Sequence, residues 1–319
     1  MKNVIIHFGP PKTGTSALQH WLVKNHELLL QNGIFYPVHD VDRNGISSGN
    51  DTSIFPSRDA QPEEVRLQKQ KLLKECRQHR CSTLLLSSES FLRRLPRLAK
   101  LFPTARFIGY VRAPIDLLES GYNQGVKRSG ETRLFSLEKR EQINHLHKVT
   151  EAVSAIGRER FILRAYASSA FTNGDIVCDF IHSLFPSFSV KDVSVAAQQI
   201  NLSYTLEVLE TMRWLNSVIS SNLTLTNIDR VLQHIDYGQR HYSFLTPQEY
   251  EVQRQLSLTD IDALNKVCPI SDVNELTDEV LHKKQKPYVQ QKISSEAKTT
   301  VLNKLFAELP NLKERLFKP

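Results

Sequence analysis

Short apolar runs alternate with stretches of helical periodicity along the first two hundred residues of the chain. The run from Val4 to Phe8 precedes a helical stretch that Gly33 ends, as a left-handed cap would. Continuous apolar runs are typical of strands that are buried on both faces of a parallel sheet. The alternation therefore predicts an α/β fold with a central parallel sheet. The further predicted strands are 83–86, 106–111 and 160–163, and the further predicted helices are 63–79 and 142–156.

The pattern changes from about Gly174 onward, where helical periodicity predominates. Thr246-Pro247-Gln248-Glu249 predicts a helix start, with threonine as the N-cap, proline at the first helical position and glutamate closing a capping box. We predict a single domain over 1–319, with an α/β core in 1–200 and a mainly helical part in 201–319. The polar segment 39–62 is predicted to be a long loop.

Composition narrows the function classes without choosing among them. The chain has 41 basic and 34 acidic residues, a formal charge of +7, which suits an anionic ligand but is too diffuse to indicate nucleic acid. No apolar stretch approaches the roughly 20 residues that span a membrane. A strand so near the amino terminus leaves no room for a signal peptide, so a cytoplasmic location is expected. The four cysteines lack metal-binding spacing and are expected to be reduced and structural.

The first candidate site is the segment Gly9–Ser16, which lies between the first predicted strand and the first predicted helix. Backbone N–H groups at a helix start favour an anion, Lys12 adds a cation, and three hydroxyl side chains add donors. A Walker loop places its lysine directly after the last glycine, whereas Lys12 precedes Gly14. The loop therefore predicts a site for a phosphate-like anion that differs from a standard nucleotide loop. The alternative is a Gly-Pro turn with a surface lysine.

A second candidate site follows the predicted strand 106–111. Arg112 comes directly after this strand, at the edge where α/β folds bind ligands. Ser120 follows eight residues later, about two turns into the helix that Pro114 is predicted to start. A guanidinium and a hydroxyl that converge on one phosphate would make a second anion site. Alternatively, the arginine caps the sheet and the serine packs against a neighbour.

The two segments together resemble a known family. Gly9–Ser16 resembles the 5′-phosphosulfate loop of sulfotransferases that use 3′-phosphoadenosine 5′-phosphosulfate (PAPS), and 112–120 resembles the 3′-phosphate motif of the same family. Segments 84–89 (LLLSSE), 163–166 (LRAY) and 200–204 (INLSY) also resemble bacterial-type sulfotransferases. The resemblance covers most of the chain, although the carboxy-terminal third matches only in helical character. It implies a P-loop-like three-layer core, PAPS as sulfuryl donor, 3′-phosphoadenosine 5′-phosphate as product, and no metal.

The resemblance also implies roles for individual residues. Arg112 and Ser120 would bind the 3′-phosphate, and Asn201 and Ser203 would line the nucleotide pocket. Lys12 would also be catalytic, because it could stabilise the charge that grows on the leaving oxygen. The loop residues that would hold the 5′-phosphosulfate are Pro11, Lys12, Thr13, Gly14, Thr15 and Ser16.

Two residues are candidates for the general base that takes the proton from the acceptor hydroxyl. Glu89 follows the predicted strand 83–86, at the edge that also carries Lys12 and Arg112. A glutamate in this place is alternatively the cap of a following helix. His39, in the predicted long loop, is the other candidate, although a polar loop histidine is usually solvated.

The acceptor class follows from the family resemblance alone. A hydroxyl on a carbohydrate or glycolipid is expected, and no nucleic-acid partner. Two other function classes stay open. One is a nucleotide-dependent kinase, which would need a magnesium site and a Walker-type lysine; the other is a non-catalytic module that binds a nucleotide or polyanion.

Overall fold

A computed structural model describes residues 3–10, 12–39, 49–139, 144–186, 188, 203–219 and 222–317. The chain forms two compact units, each assembled from three separate segments. Unit 1 comprises Met1–Ala113, His145–Ile200 and Ser257–His282, and unit 2 comprises Pro114–Asn144, Asn201–Leu256 and Lys283–Pro319.

Unit 1 is built around a six-stranded sheet in which all paired strands are parallel. The strands are β1 (Asn3–Phe8), β2 (Ile34–Phe35), β3 (Thr83–Ser88), β4 (Arg106–Val111), β5 (Phe161–Ala165) and β6 (Ile270–Ser271). Their order in the sheet is β2-β3-β1-β4-β5-β6. The predicted parallel sheet is therefore confirmed, and all four predicted strands belong to it. The two-residue strand β6 was not predicted, because it lies within the part that was expected to be helical.

Helices account for most of the remaining regular structure. They are α1 (Thr15–Lys24), α2 (His26–Gln31), α3 (Pro62–Gln78), α4 (Leu95–Leu101), α5 (Pro114–Arg128), α6 (Leu146–Ile156), α7 (Ile176–Leu184), α8 (Leu206–Val218), α9 (Asn222–Leu232), α10 (Pro247–Val267), α11 (Val273–His282), α12 (Ser295–Glu308) and α13 (Pro310–Phe317). The predicted start of α10 is confirmed, since Thr246 and Glu249 form the expected reciprocal hydrogen bonds. Within the described residues, none of these helices combines the length and the hydropathy that crossing a membrane requires.

The sheet of unit 1 is covered on both faces. On one face, Leu18 of α1 and Phe180 of α7 pack in a single apolar cluster with Ile5 and Leu85 of the strands. The next strand residues, such as Leu86, are equally buried and point to the other face, because side chains alternate along a strand. Helix α3 contacts β3, and α4 contacts α6. The predicted three-layer α/β core is therefore present.

The first predicted helix is interrupted. Helix α1 ends at Lys24 and α2 begins at His26, with Asn25 between them as the cap of both. The side-chain amide of Asn25 donates to the carbonyl of Trp21 at 2.9 Å, which satisfies one of the carbonyl groups at the end of α1. Gly33 adopts a left-handed φ of 72°, as the sequence predicts.

Unit 2 is helical apart from one isolated β-bridge in its described part. Its core joins α8, α9 and α12, through residues that include Met212, Ile228 and Val301. Hydrogen bonds from the side chain of Asn216 to the carbonyl groups of Val126 and Glu131 tie α8 to the end of α5 and the segment after it. All four cysteines of the chain are free and buried, as expected for structural thiols.

Candidate active site

Three neighbouring strands of unit 1 each lead into one of the predicted site residues. Strands β3, β1 and β4 lie side by side, and Phe8 at the end of β1 is in register with Ser88 at the end of β3. The loop 9–16 follows β1, Glu89 follows β3, and Arg112 follows β4. Because parallel strands share one carboxyl edge, the structure brings these three elements to the same edge of the sheet.

The loop 9–16 turns through two residues in left-handed conformation. Lys12 has a φ of 70° and Gly14 a φ of 71°. At Gly14 an added Cβ would lie 2.6 Å from Cδ1 of Ile176, so the end of that side chain would have to move. At Lys12, a non-glycine residue in this conformation costs roughly 1–3 kcal/mol, so contacts around the loop must hold it. One of them is the hydrogen bond of 2.5 Å from Nη1 of Arg112 to the carbonyl of Lys12.

The loop hydroxyl groups differ in their partners. Oγ1 of Thr13 donates to the carbonyl of Pro10 at 2.7 Å and so shapes the turn. Oγ1 of Thr15 is buried and has no hydrogen-bond partner among the described residues, and an added Cβ at Gly9 would lie 2.3 Å from it. Thr15 also begins α1, whose first turn carries no acidic residue and, in the described structure, no side-chain cap. An unpartnered buried hydroxyl beside uncapped N–H groups fits an anionic ligand.

Arg112 connects the end of β4 to the loop. Besides its bond to Lys12, its guanidinium carbon lies 5.1 Å from the ring centroid of Tyr166, which follows β5. The backbone N–H of Tyr166 donates to the carbonyl of Val111 at 2.8 Å, which holds the backbone of Tyr166 beside the end of β4. Stacking and hydrogen bonding together limit the orientations of the guanidinium. Arg112 therefore braces the loop, a role that its spacing in the sequence did not predict.

Ser120 lies in the second turn of α5 and belongs to unit 2. Its hydroxyl donates to the carbonyl of Asp116 at 2.7 Å, within its own helix. Serine hydroxyls in helices often bond in this way to the preceding turn. Donation from Ser120 to a phosphate would therefore require rotation of the side chain.

Glu89 is the first residue of a 3₁₀ helix, Glu89–Arg94, and is half-buried. The N-cap of that helix is Ser88, whose Oγ accepts from the backbone N–H of Ser90 at 3.2 Å. Because Ser88 supplies the capping hydrogen bond, the structure gives no support to the alternative in which Glu89 is the cap.

His39, the other candidate base, is half-buried rather than fully solvated. Its Nε2 lies 2.8 Å from the hydroxyl of Tyr36, and the two rings meet edge to face. Tyr36 is fully buried, and burial raises the pKa of its phenol, which therefore stays protonated at neutral pH. A hydrogen bond to this phenol holds the imidazole in place.

The remaining predicted residues are less informative. Pro11 and Asn201 lie outside the described residues, and Ser203 is exposed in the segment before α8. Among the residues that the structure describes, no group of three histidine, cysteine, aspartate or glutamate side chains could hold a metal ion. His145, at the start of α6, is half-buried; burial first, and then the charges of Lys148 and Arg93, lower its pKa to about 4.

A cavity of about 330 Å³ lies within unit 2, between α5 and the segment 131–138. Leu118 and Tyr122 line it from the helix, and Leu134 and Phe135 line it from the segment. The helix residues that line it are spaced as one face of α5, whereas Ser120 lies on the opposite face of that helix. The cavity is therefore separate from the candidate phosphate residue on this helix.

Sequence reasoning missed several polar residues around the loop. His7, Gln19, Asn50 and Ser87 are all completely buried in unit 1, and Tyr166 stacks on Arg112. The available signal was the presence of His7 and Ser87 at the ends of otherwise apolar strands. Gln19 lies in a helix and Asn50 in a loop. Polar residues are common in both places, so the sequence alone does not single these two out.

No protein-family model matches the chain, and no curated protein matches its sequence. Three solved structures similar to this chain are sulfotransferases. A sulfotransferase from Alicyclobacillus acidocaldarius is 16% identical with a TM-score of 0.41, over 86% of this chain and 98% of that one. The sulfotransferase domain from the curacin biosynthetic pathway is 16% identical with a TM-score of 0.38, over 81% and 98% of the two chains.

The third structure is the sulfotransferase domain from the Synechococcus PCC 7002 olefin synthase, 15% identical with a TM-score of 0.31, over 71% of this chain and 95% of that one. Both identity and TM-score are low, so the activity of this chain has to be inferred from its own residues.

Proposed function

We propose that this protein is a sulfotransferase that moves a sulfuryl group from PAPS to an acceptor hydroxyl. The observation that carries the proposal is the convergence of the Lys12 loop, Glu89 and Arg112 at one edge of a parallel sheet. PAPS would be a substrate that supplies the sulfuryl group and leaves as 3′-phosphoadenosine 5′-phosphate. Its anionic ends require two sets of cationic and hydrogen-bonding groups, and the chain offers two such sets.

The loop is proposed to hold the 5′-phosphosulfate. The unpartnered buried hydroxyl of Thr15 and the uncapped start of α1 support this assignment. Arg112 and Ser120 are proposed to bind the 3′-phosphate on the strength of the sequence resemblance. By the same resemblance, Asn201 and Ser203 are proposed to line the nucleotide pocket.

Sulfuryl transfer makes demands similar to those of phosphoryl transfer, in which positioning and electrostatics provide most of the catalysis. A bond forms between the acceptor oxygen and sulfur while the bond from sulfur to the bridging oxygen of the 5′-phosphate breaks. Lys12 would stabilise the negative charge that grows on that bridging oxygen. Glu89 would take the proton that the acceptor hydroxyl loses.

Glu89 is proposed as the base in preference to His39. Glu89 directly follows β3, which lies next to β1, the strand that leads into the loop. Ser88 supplies the capping hydrogen bond of the following 3₁₀ helix, so this role does not fall to Glu89. The pH–rate profiles of Glu89→Gln and His39→Ala distinguish the two residues. We expect Glu89→Gln to abolish the acidic limb of the profile and to lower kcat, and His39→Ala to retain that limb.

The acceptor is proposed to be a hydroxyl of a carbohydrate or glycolipid, on the resemblance alone. Calorimetric titration with 3′-phosphoadenosine 5′-phosphate, ATP and GTP, each with and without magnesium, tests the donor. We expect tight, metal-independent binding of the bisphosphate, followed by transfer of label from sulfur-labelled PAPS to members of an acceptor panel. Magnesium-dependent preference for ATP would instead support a kinase, and binding without transfer to any acceptor would support a non-catalytic module.

A further inference from the structure

Four buried polar side chains surround the end of β3 in unit 1, and we call them the Ser87 network. They are His7 on β1, Gln19 on α1, Asn50 and Ser87, each with 0% exposure. Burying a polar side chain costs free energy unless it is hydrogen-bonded. Here the four residues bond to one another, and every bond involves Ser87.

The hydroxyl of Ser87 lies between two side chains. Nε2 of Gln19 donates to it at 3.3 Å, and the hydroxyl lies 2.8 Å from Nδ1 of His7. An amide nitrogen can only donate, so the hydroxyl accepts from Gln19, and it shares a second hydrogen bond with Nδ1 of His7. Burial lowers the pKa of His7 to about 3, so the ring is neutral at pH 7.

The backbone of Ser87 is held as firmly as its hydroxyl. Its N–H donates to Oδ1 of Asn50 at 2.8 Å, and its carbonyl accepts from the N–H of Asn50 at 3.0 Å. Strand β2 ends at Phe35, which pairs with Leu84, so Asn50 bonds to β3 beyond the end of β2. The approach is so close that an added Cβ at Gly49 would lie 1.9 Å from the carbonyl oxygen of Ser87.

The network joins the elements that carry the proposed catalytic groups. His7 lies two residues before Gly9, where the anion loop begins, and Gln19 lies on α1, where that loop ends. Ser87 lies two residues before Glu89. One hydroxyl is therefore bonded to both flanks of the loop and belongs to the strand that leads to the proposed base.

We propose that Ser87, held by His7, Gln19 and Asn50, is a positioning residue that fixes Glu89 relative to the Lys12 loop. The inference rests on the proposed function, since only that function gives Glu89 and Lys12 their roles. Hydrogen bonds between buried polar side chains favour one geometry of the core, whereas apolar packing tolerates small shifts. Nε2 of His7 and Oε1 of Gln19 are buried without a hydrogen-bond partner among the described residues, so the bonds to Ser87 carry the network. A displacement of about 1 Å in a reacting group can lower the rate by roughly 100-fold.

The first test is Ser87→Ala, measured as kcat with PAPS and as the Kd of 3′-phosphoadenosine 5′-phosphate. We expect kcat to fall by roughly 10- to 100-fold while the Kd is unchanged, because the loop keeps the bonds of Thr13 to Pro10 and of Arg112 to Lys12. Gln19→Met removes the donor to the same hydroxyl with little change in size, and we expect the same separation of kcat from Kd. As the control, Ser183→Ala removes a hydroxyl that donates to the carbonyl of Phe180 within α7 at 3.0 Å, and should leave kcat unchanged.

A double-mutant cycle distinguishes positioning from a general loss of structure. If Ser87 acts through Glu89, then Ser87→Ala lowers the rate of Glu89→Gln little further. If the rate losses of Ser87→Ala and Glu89→Gln multiply in the double mutant, the positioning role is overturned. It is also overturned if kcat and the Kd of the bisphosphate change together in both Ser87→Ala and Gln19→Met.

The ring of His7 gives a readout that does not depend on turnover. In ¹⁵N-histidine NMR spectra we expect the wild type to show His7 as a neutral ring, and Ser87→Ala to shift its Nδ1 resonance. An Nδ1 resonance that Ser87→Ala leaves unchanged would overturn the network. A wild type that neither binds the bisphosphate nor transfers sulfate would overturn the proposed function, and the positioning role with it. If the wild type is active but the rate losses of Ser87→Ala and Glu89→Gln multiply, only the positioning role is overturned.

Discussion

Lys12 combines a positive charge with a left-handed backbone, at a place where glycine would be the usual residue. Its carbonyl is held by Arg112, and Arg112 is held by the ring of Tyr166. A strained residue that its neighbours hold in place is a common feature of functional sites. These contacts favour the left-handed backbone that carries the side chain, which suits the proposed electrostatic role.

We predict that Lys12→Ala lowers kcat for sulfuryl transfer by orders of magnitude, because the charge on the leaving oxygen loses its cationic partner. Steady-state turnover with PAPS measures the effect, and circular dichroism checks the fold. Lys24→Ala, which removes an exposed lysine at the end of α1, is the matched control and should retain activity. Near-normal turnover of Lys12→Ala would contradict the assigned role.

His7 makes the stability of the protein depend on pH. Burial lowers its pKa from 6.5 to about 3, so between these values the unfolded chain binds a proton that the folded chain does not. Stability therefore rises with pH in this window and is lost as the pH falls through it. The slope from this residue is at most about 1.4 kcal/mol per pH unit.

We predict that His7→Gln flattens the dependence of the unfolding free energy on pH between about pH 6 and 4. Urea denaturation at several pH values measures the slope, which is independent of any constant loss of stability that the substitution causes. His147→Gln, at an exposed position on α6, should leave the slope as it is. An equal slope in His7→Gln and wild type would show that His7 is not buried as a neutral ring.

At the scale of elements, the sequence predicts best where one local signal is sufficient. Strand β4 matches its prediction at both ends, since a continuous apolar run is bounded by an arginine on each side. The break at Asn25 was missed because apolar positions continue on both sides of it. The Ser87 network was missed for a different reason: its residues are far apart in the chain, and only the pairing of β1 with β3 makes them neighbours.

The turn between β1 and α1 depends on Gly14 in two ways: its φ of 71°, and the 2.6 Å between an added Cβ and Cδ1 of Ile176. We predict that Gly14→Ala weakens binding of 3′-phosphoadenosine 5′-phosphate, because the turn has to open. Adding Ile176→Ala should recover part of the affinity, since it removes the overlap but leaves the unfavourable φ. Calorimetric titration of both variants measures the difference.

A matched control for this prediction is Gly130→Ala. Gly130 also has a left-handed φ, of 67°, but nothing lies within 4 Å of an added Cβ. The Gly130→Ala variant should lose some stability and bind the bisphosphate normally. If Gly14→Ala binds as tightly as Gly130→Ala does, the turn is not the anion site that we propose.

At the scale of the whole molecule, the chain passes between the two units after residues 113, 144, 200, 256 and 282. Strand β6, which pairs with β5, belongs to the last segment of unit 1, and α11 after it also contacts β5. The α/β unit is thus completed by residues from the part that the sequence indicated as a helical extension. The sixth strand of this sheet cannot be inferred from the first 200 residues alone.

We predict that a fragment ending at residue 200 does not fold stably. It would lack β6 and α11, so that β5 would become an exposed edge strand open to association with other chains. Size-exclusion chromatography and thermal denaturation, with the full chain as reference, measure the outcome. A monomeric fragment with a cooperative transition would mean that residues 1–200 are sufficient for the α/β core, as a division at that residue implies.

The hydrogen bond from Arg112 to the carbonyl of Lys12 has a thermodynamic consequence. An anion that immobilises the guanidinium also immobilises the loop, so that the loop has less conformational entropy left to lose when a second anion binds there. Occupancy of the two positions should therefore be positively cooperative, and by linkage the effect is equal in both directions. A donor that carries both anions on one molecule would gain from this coupling as well as from its separate contacts.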